Sequence, residues 1–412
     1  MPVYAAPDLM AQVPILMQAA QQGKIDWNEP MSRTLPALLG TPHLPAPEAW
    51  LDLAWWGPLD TLLREPPVHD VYINGPDRIV LVGRGGVVEP TTLRIHAEWI
   101  TWLHRLLLWN QLSGVGKHYD TPVRGGGYAD QPPRPLDGVT SWPAYEVRGG
   151  VAAPGAGLRR LRYAITQQTL TPDGASITLR VLPDRWSSLD DLVANGMVIQ
   201  EVATLLRRAL RSDTSILISG GTGSGKTTLA AALKAEMGQR RAVVVQDAPE
   251  LPTGGDFNDV GYVVPDGDTA AFLRCVRAAL RQQPDRIIIG EGRGPEMLAM
   301  IEGASTGHPG LTTLHAANAA DAVLRVETYA AMAPGVTGEI VRANLGKLNL
   351  LMVQVDRIEN QRRIVQVAEL RSGSKPTPGA AYEIGTAWQW QGGSLQRTDD
   401  PLRGLWALEV LQ

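Results

Sequence analysis

A single cysteine, Cys275, occurs in 412 residues, so no intrachain disulfide can form. That usage fits a reducing compartment. No apolar run approaches the ~20 residues that a membrane-spanning helix requires. The opening MPVYAAPDLMAQVPILMQAA lacks a basic n-region and a long apolar core, so it does not read as a secretory signal. A basic excess is also missing: 38 Lys and Arg stand against 42 Asp and Glu, a formal charge of −4. A chain whose main partner is nucleic acid usually carries a basic surplus or stripe, so direct nucleic-acid binding is not expected. Phenylalanine is scarce, with two residues against twelve Trp and nine Tyr. Trp99, Trp102 and Leu106 recur at helical spacing, which reads as core anchors rather than a stacking platform for bases.

What is present suffices for two folded domains, with 44% hydrophobic residues over this length. Residues 1–47 read as a Pro- and Ala-rich leader with one helix over Leu9 to Gln22. Residues 48–182 read as an α+β domain. In it, strands at Val71–Asn74 and Ile79–Val82 flank a Gly75-Pro76-Asp77 turn, Val87-Val88 follows a second turn, and an amphipathic helix spans Ala97 to Leu108. Within that domain the Gly- and Pro-dense stretch 124–157 shows no hydrophobic period and reads as a surface excursion. Residues 183–188 read as a linker that ends in a helix start at Ser187. From 189 to 371 strands at Ile216–Ser219, Ala242–Gln246, Arg286–Gly290 and Leu311–Leu314 alternate with helical patterns. Such alternation implies a mostly parallel sheet with ligands at the carboxyl ends of its strands. A hairpin around Glu359-Asn360-Gln361 closes the domain, and 372–412 reads as an appendage without an assigned role.

The most specific motif is GGTGSGKTT, Gly220-Gly221-Thr222-Gly223-Ser224-Gly225-Lys226-Thr227-Thr228, after the apolar run Ile216-Leu217-Ile218. Strand, glycine-rich turn and Lys-Thr opening a helix are what a phosphate-binding loop needs. Glycines let consecutive N–H groups face one anion, Lys226 can reach β- and γ-phosphates, and the Thr227 hydroxyl can complete the shell of a Mg²⁺. Three more strands run into polar tips: Gln246-Asp247-Ala248-Pro249-Glu250, Gly290-Glu291-Gly292-Arg293 and His315. In a parallel sheet these tips converge on the phosphate loop. Convergence is the argument, because one acidic residue after a strand is often only a helix cap.

The order GGTGSGKTT, QDAPEL, PDRIIIGEGRGPE, STGHPGLTTLHAAN resembles the secretion-ATPase superfamily of type II and type IV secretion, type IV pili and conjugation. It is most like the branch of conjugal-transfer (TrbB-like, CpaF-like) and VirB11-like ATPases. The likeness is strong over about 185 to 370 and weaker over 50 to 125, through VYINGPDRIVLV. It implies a RecA-like P-loop domain preceded by a smaller α+β domain, with ATP and Mg²⁺ as cofactors. Lys226 and Thr227 would bind phosphate and metal, Glu250 would polarise the attacking water, and Glu291 would act on Mg²⁺ directly or through water. His308 and His315 match the His box, and His315 would sense the γ-phosphate or couple subunits. Arg293 joins the catalytic set, with Arg162, Arg180, Arg277 and Arg281 as candidates to stabilise charge on the phosphoryl group. Arg207, Arg208 and Arg211 read as a solvated helix face.

The resemblance further implies a cytoplasmic homo-hexamer, peripheral to the inner membrane through a secretion or pilus platform protein. It would be a motor for secretion, conjugative transfer or pilus assembly. Two alternatives stay open: a nucleotide-binding structural subunit with little turnover, and a RecA-like helicase. Two departures from the family pattern stand out. Gln246 replaces the usual Glu ahead of Asp247, and Gly292 stands where a β-branched residue is usual.

Overall fold

The computed structural model describes residues 13–39, 57–62, 68–83, 88–103, 136–148, 151–166, 176–182, 186–247, 250–253, 258–264, 269–377 and 380–403. The chain divides into two compact units, Met1–Asp184 and Arg185–Gln412.

The first unit is built on a six-stranded antiparallel sheet in the order β3-β2-β1-β6-β5-β4. Its strands are β1 (Val68–Ile73), β2 (Ile79–Gly83), β3 (Val88–Pro90), β4 (Leu136–Arg148), β5 (Val151–Thr166) and β6 (Ser176–Val181). One face buries Val71, Ile73, Leu161, Tyr163, Ile165, Ile177 and Leu179 in the period-two alternation of a half-buried sheet. Helices α1 (Val13–Gln21), α2 (Met31–Leu39) and α3 (Pro58–Leu62), with helical residues 97–103, cover it. The tryptophans are core anchors: Trp99 meets Trp27 edge-on at 5.0 Å and Trp102 at 6.1 Å, and its indole N–H donates to the Glu29 carbonyl at 3.0 Å. Val87, residues 104–108 and the start of the expected first helix lie outside the described residues.

The excursion expected over 124–157 is a correction. Residues 136–148 and 151–166 are the two arms of a long hairpin, paired from Leu136↔Ile165 to Arg148↔Val151. Backbone pairing needs no side-chain periodicity, and β4 is an edge strand, where Pro is tolerated. The register slips between Pro143 and Tyr145, which pair with Leu158 and Pro154, so a bulge sets residues 155–157 of the partner arm opposite residue 144 alone. Residues 124–135 lie outside the described set.

The second unit is a mixed α/β fold on a nine-stranded sheet, ordered β15-β14-β13-β12-β7-β11-β10-β8-β9. Strands β7 (Ser215–Gly220), β8 (Ala242–Gln246), β9 (Val260–Val263), β10 (Arg286–Ile289), β11 (Gly310–Leu314) and β12 (Leu350–Ile358) are parallel. On one face α4 (Leu189–Ala194), α5 (Gln200–Arg211) and α6 (Lys226–Ala235) pack on Ile216, Ile218, Val244 and Ile288. On the other, α7 (Thr269–Leu280), α8 (Glu296–Ser305), α9 (Ala319–Ala330) and α10 (Gly338–Leu345) pack on Leu217, Val243, Val245, Ile287 and Ile289. Strands buried on both faces read as unbroken apolar runs, as Val243-Val244-Val245 and Ile287-Ile288-Ile289 do. The N-cap of α4 is Ser188, one residue later than expected, because Ser188 and Asp191 complete a reciprocal capping box.

Two expectations change here. The segment after 371 is no appendage: β13 (Gln361–Thr377), β14 (Ala380–Gln391) and β15 (Ser394–Arg397) extend the same sheet as an antiparallel meander. Ala387, Trp388 and Leu402 are buried in its core. Arg207 is not a freely solvated charge, since it bonds Glu236 at 2.9 Å and Asp190 at 2.6 Å, tying α5 to α6 and α4.

Beneath the sheet, at the amino ends of its strands, Arg286 is 1% exposed. Its guanidinium donates to the carbonyls of Thr214 and Gly310 at 2.8 and 3.0 Å, and to Ala209, Leu210 and Ser212 at the end of α5. Burial pushes its pKa down to about 10. The guanidinium thereby satisfies orphan acceptors of a helix terminus.

Candidate active site

β7 ends at Gly220, and α6 begins at Lys226. Between them the backbone turns through positive φ at Gly220 (156°), Gly223 (71°) and Gly225 (106°). At Gly220 a Cβ would collide with the carbonyl oxygen of Val355 on β12, so only glycine fits. Gly221, Thr222 and Gly223 are exposed at the crest, and Thr227 and Thr228 are half-buried in the first turn of α6. Lys226 is 7% exposed, and its ammonium donates to the carbonyls of Gly220 and Gly221 at 3.0 and 2.8 Å.

The parallel strands deliver their tips to one edge. Glu291 follows β10, and Oε2 accepts from Arg293 Nη2 at 2.7 Å, while Oε1 meets His315 Nε2 at 3.1 Å. Arg293 Nη1 reaches Asp247, after β8, at 3.0 Å. His315, after β11, turns Nδ1 toward Lys226 Nζ at 3.5 Å. An ammonium can only donate, so Nδ1 accepts, and the ring proton sits on Nε2 and points at Glu291. Desolvation and the charge of Lys226 lower the His315 pKa, against the pull of Glu291. The imidazole is therefore neutral at pH 7, and its contact with Glu291 is a hydrogen bond from a neutral donor rather than an ion pair.

Burial alone would raise the Glu291 carboxyl, but the bond and charge of Arg293, with His315 and Lys226, outweigh it and hold it below its ordinary value. Burial likewise lowers Lys226, against the charges of Glu291 and Glu250. Five residues from the ends of four adjacent strands thus form one chain: Lys226, His315, Glu291, Arg293, Asp247.

Other expected residues lie elsewhere. His308 precedes β11 and His315 follows it, so the five-residue strand holds the two apart by roughly 16 Å at ~3.3 Å per residue. His308 is near Thr306 Oγ1 at 3.4 Å, at the opposite end of the sheet. Arg277 and Arg281 are exposed on and just after α7, and among the described residues no hydrogen bond or ion pair joins them to the strand-tip residues. Arg162 and Arg180 face each other in register on β5 and β6 of the first unit, where Arg180 bonds Asp70 at 2.7 Å.

Three contributors were not singled out from the sequence. Buried Glu296 accepts the backbone N–H groups of Arg293 and Gly294 at 2.6 and 2.7 Å, fixing the loop that carries Arg293. Arg362 Nε donates to the Gly223 carbonyl at 3.2 Å, and its stem lies against Gly225. Gln354 on β12 accepts from Ser219 and donates to the carbonyl of Ala316, beside His315. The GPE after Arg293 was a visible signal for Glu296; Arg362 sits 139 residues from Gly223 and Gln354 135 residues from Ser219, and they gave none. Gly292 has a local reason: a Cβ there would strike Met297.

The family model described as Type II/IV secretion system protein matches residues 160–368. Conjugal transfer protein TrbB of Rhizobium radiobacter is 34% identical over 202 residues, 48% of this chain and 61% of that protein. The chain thus spans about three-fifths of the length of this relative. A Mycobacterium tuberculosis protein that carries a conjugal-transfer name is 31% identical over 334 residues, 78% of this chain and 86% of that one. Among solved structures, the Legionella pneumophila ATPase DotB superposes with a TM-score of 0.51 at 20% identity, covering 77% of this chain and 81% of that one. The pilus retraction motor PilT with bound ADP gives 0.51 at 18%, over 85% and 84%. At such identities these two carry the fold alone. The match over half of the chain, with the long alignment at 31% identity, assigns it: the chain belongs to the type II/IV secretion system protein family.

Proposed function

We propose that the chain is an ATP-hydrolysing motor with a RecA-like P-loop domain, working in conjugative transfer or a related type IV secretion or pilus machine. The observation that carries the reading is the Lys226–His315–Glu291 contact chain, which joins the phosphate loop to two strand tips. Ser224 Oγ, buried in the loop and without a hydrogen-bond partner among the described residues, fits a loop shaped for a polar ligand. The donors also suit Mg²⁺, a hard cation that keeps most of its shell as water and phosphate oxygen. The Thr227 hydroxyl and the ionised Glu291 would hold it, and it would supply charge neutralisation to the β- and γ-phosphates.

The protein's own residues then divide the work. Lys226 exchanges two loop carbonyls for phosphate oxygens. Glu250 orients the attacking water and accepts its proton. His315 gains or loses its Lys226 contact as the γ-phosphate comes and goes, and passes that change to Glu291. Arg293, occupied by Asp247 and Glu291, aligns those carboxylates rather than meeting the phosphate itself. The charge-stabilising arginine comes from a neighbouring copy, with Arg162, Arg180, Arg277 and Arg281 as the candidates. An arginine supplied in this way is worth ~10³–10⁵ in rate, which makes turnover depend on assembly. The natural assembly is a homo-hexamer at the inner membrane, bound through a platform protein.

Steady-state phosphate release tests the reading. Wild type should turn over ATP with specific activity that rises with protein concentration, and Lys226→Ala and Glu250→Gln should fall to background. Equal, near-background release from wild type and Glu250→Gln would refute it.

A further inference from the structure

Gln246, the residue that departs from the family pattern, ends β8 with its side chain 1% exposed. Its Nε2 donates to the Leu251 carbonyl at 3.2 Å, and its Oε1 accepts the Leu251 N–H at 2.9 Å. A carboxamide carries both a donor and an acceptor, so one side chain closes a ring with both backbone polar groups of the residue five positions on. A carboxylate could only accept. The side chain has little freedom to leave. Its own carbonyl accepts from Val264 N at 2.9 Å, and its Cβ lies 2.9 Å from where a Cβ on Gly290 would stand. Glycine at 290 is what admits it.

The ring fixes both ends of the loop that starts at Asp247 and carries Glu250. Asp247 is held by Arg293 at one end, and Leu251 is 1% exposed at the other. Glu250 immediately precedes Leu251 and is close enough for its charge to act on Lys226. We propose that Gln246 is a positioning residue for Glu250: its carboxamide sets the Leu251 backbone and so the place from which the Glu250 carboxylate meets the attacking water. The proposal rests on the hydrolytic reading above for its rate effect, and on geometry alone for the clamp. On this view Gln246 does not weaken the site. It makes two hydrogen bonds to Leu251, of which a carboxylate could make only the accepting one.

The test uses the full chain with Gln246→Met, which keeps the shape and makes neither bond, and Gln246→Glu, which keeps the acceptor for Leu251 N–H. A displacement of about 1 Å in a catalytic group costs about 10²-fold. Gln246→Met should therefore lose roughly ten- to a hundredfold in kcat, with affinity for a non-hydrolysable ATP analogue held within about twofold, and Gln246→Glu should lose less. An unchanged kcat or an equal fall in affinity would overturn the proposal. Hydrogen exchange at the Leu251 amide reads the clamp without ATP turnover and should speed up about tenfold or more in Gln246→Met. Unchanged exchange sinks the clamp, whereas a wild type that exchanges slowly and hydrolyses nothing sinks only the hydrolytic reading. Should Gln246→Met fail to fold, Gln246→Glu carries the same comparison, and unchanged kcat with unchanged Leu251 exchange in that variant would overturn the proposal.

Discussion

His315 donates from Nε2 to Oε1 of Glu291 at 3.1 Å, across the tips of two adjacent parallel strands. Because Nδ1 faces Lys226, the imidazole works as a neutral relay with one donor and one acceptor. Glutamine offers the same pair of groups and leucine neither. His315→Leu should lose about 10²-fold in kcat, and His315→Gln clearly less. Equal losses in the two variants would mean that a charged imidazolium, not the relay, is what matters. Steady-state kinetics at pH 7.5 decides it.

Arg293 spans Asp247 and Glu291 with two bonds from one planar fork. Lysine cannot reproduce that fork. Arg293→Lys is expected to lower kcat about tenfold with little change in nucleotide affinity, since misalignment rather than lost binding is the cause. The Glu291 carboxyl should also titrate at higher pH in Arg293→Ala, because the main influence opposing its burial is gone. NMR titration of the labelled side chain measures it.

Arg286 satisfies carbonyls from three segments while buried. Removing it leaves several buried acceptors unpaired, each worth ~1–3 kcal/mol. Arg286→Met should destabilise the second unit by about 3 kcal/mol or more, read by denaturant unfolding. A loss under about 1 kcal/mol would show that water replaces the guanidinium without penalty.

Asp321 accepts the Ala317 N–H at 2.8 Å and Arg325 Nε at 3.1 Å at the start of α9, just after His315. The Ala317 bond, then Arg325, holds its carboxyl below its ordinary value against a small desolvation cost. A depressed folded-state pKa gives stability that is complete above the unfolded value near 3.8 and lost as pH falls through the folded value. The stability gap between wild type and Asp321→Asn should thus be constant from about pH 5 upward and close below about pH 3.8. Thermal unfolding at stepped pH reports the gap, and a gap that widens as pH falls below about 3.8 would contradict the assignment.

Local signals carried much of the second unit. The runs Ile216-Leu217-Ile218, Val243-Val244-Val245 and Ile287-Ile288-Ile289 mark strands buried on both faces, and Glu359-Asn360 marks the hairpin turn, where both residues take positive φ (47° and 64°). The 136–166 hairpin was missed because its stability comes from backbone pairing along an edge, which leaves little trace in residue pattern. The meander over 380–397 was missed for a related reason: strands that carry Gly and Thr become visible only beside the strand they join. The split of the His box is a matter of direction. Six residues separate His308 from His315 in sequence, and an extended strand turns those residues into the full depth of the sheet.

By itself the sequence determined the chemistry on offer. Its glycines, Lys226, the carboxylates and His315 occur in a fixed order, and strand–loop–helix alternation sends their strand ends to one edge. Tertiary structure alone decided which atoms meet: His315 Nδ1 on Lys226, Arg293 across Asp247 and Glu291, Arg362 on the phosphate loop, and Gln246 around Leu251. The physical reason is that hydrogen-bond partners are selected by distances of about 3 Å, whereas all these partners but Gln246–Leu251 and Arg293–Glu291 come from segments tens of residues apart. The glycine-rich loop can be read from nine consecutive letters; the site around it exists only once the sheet is formed.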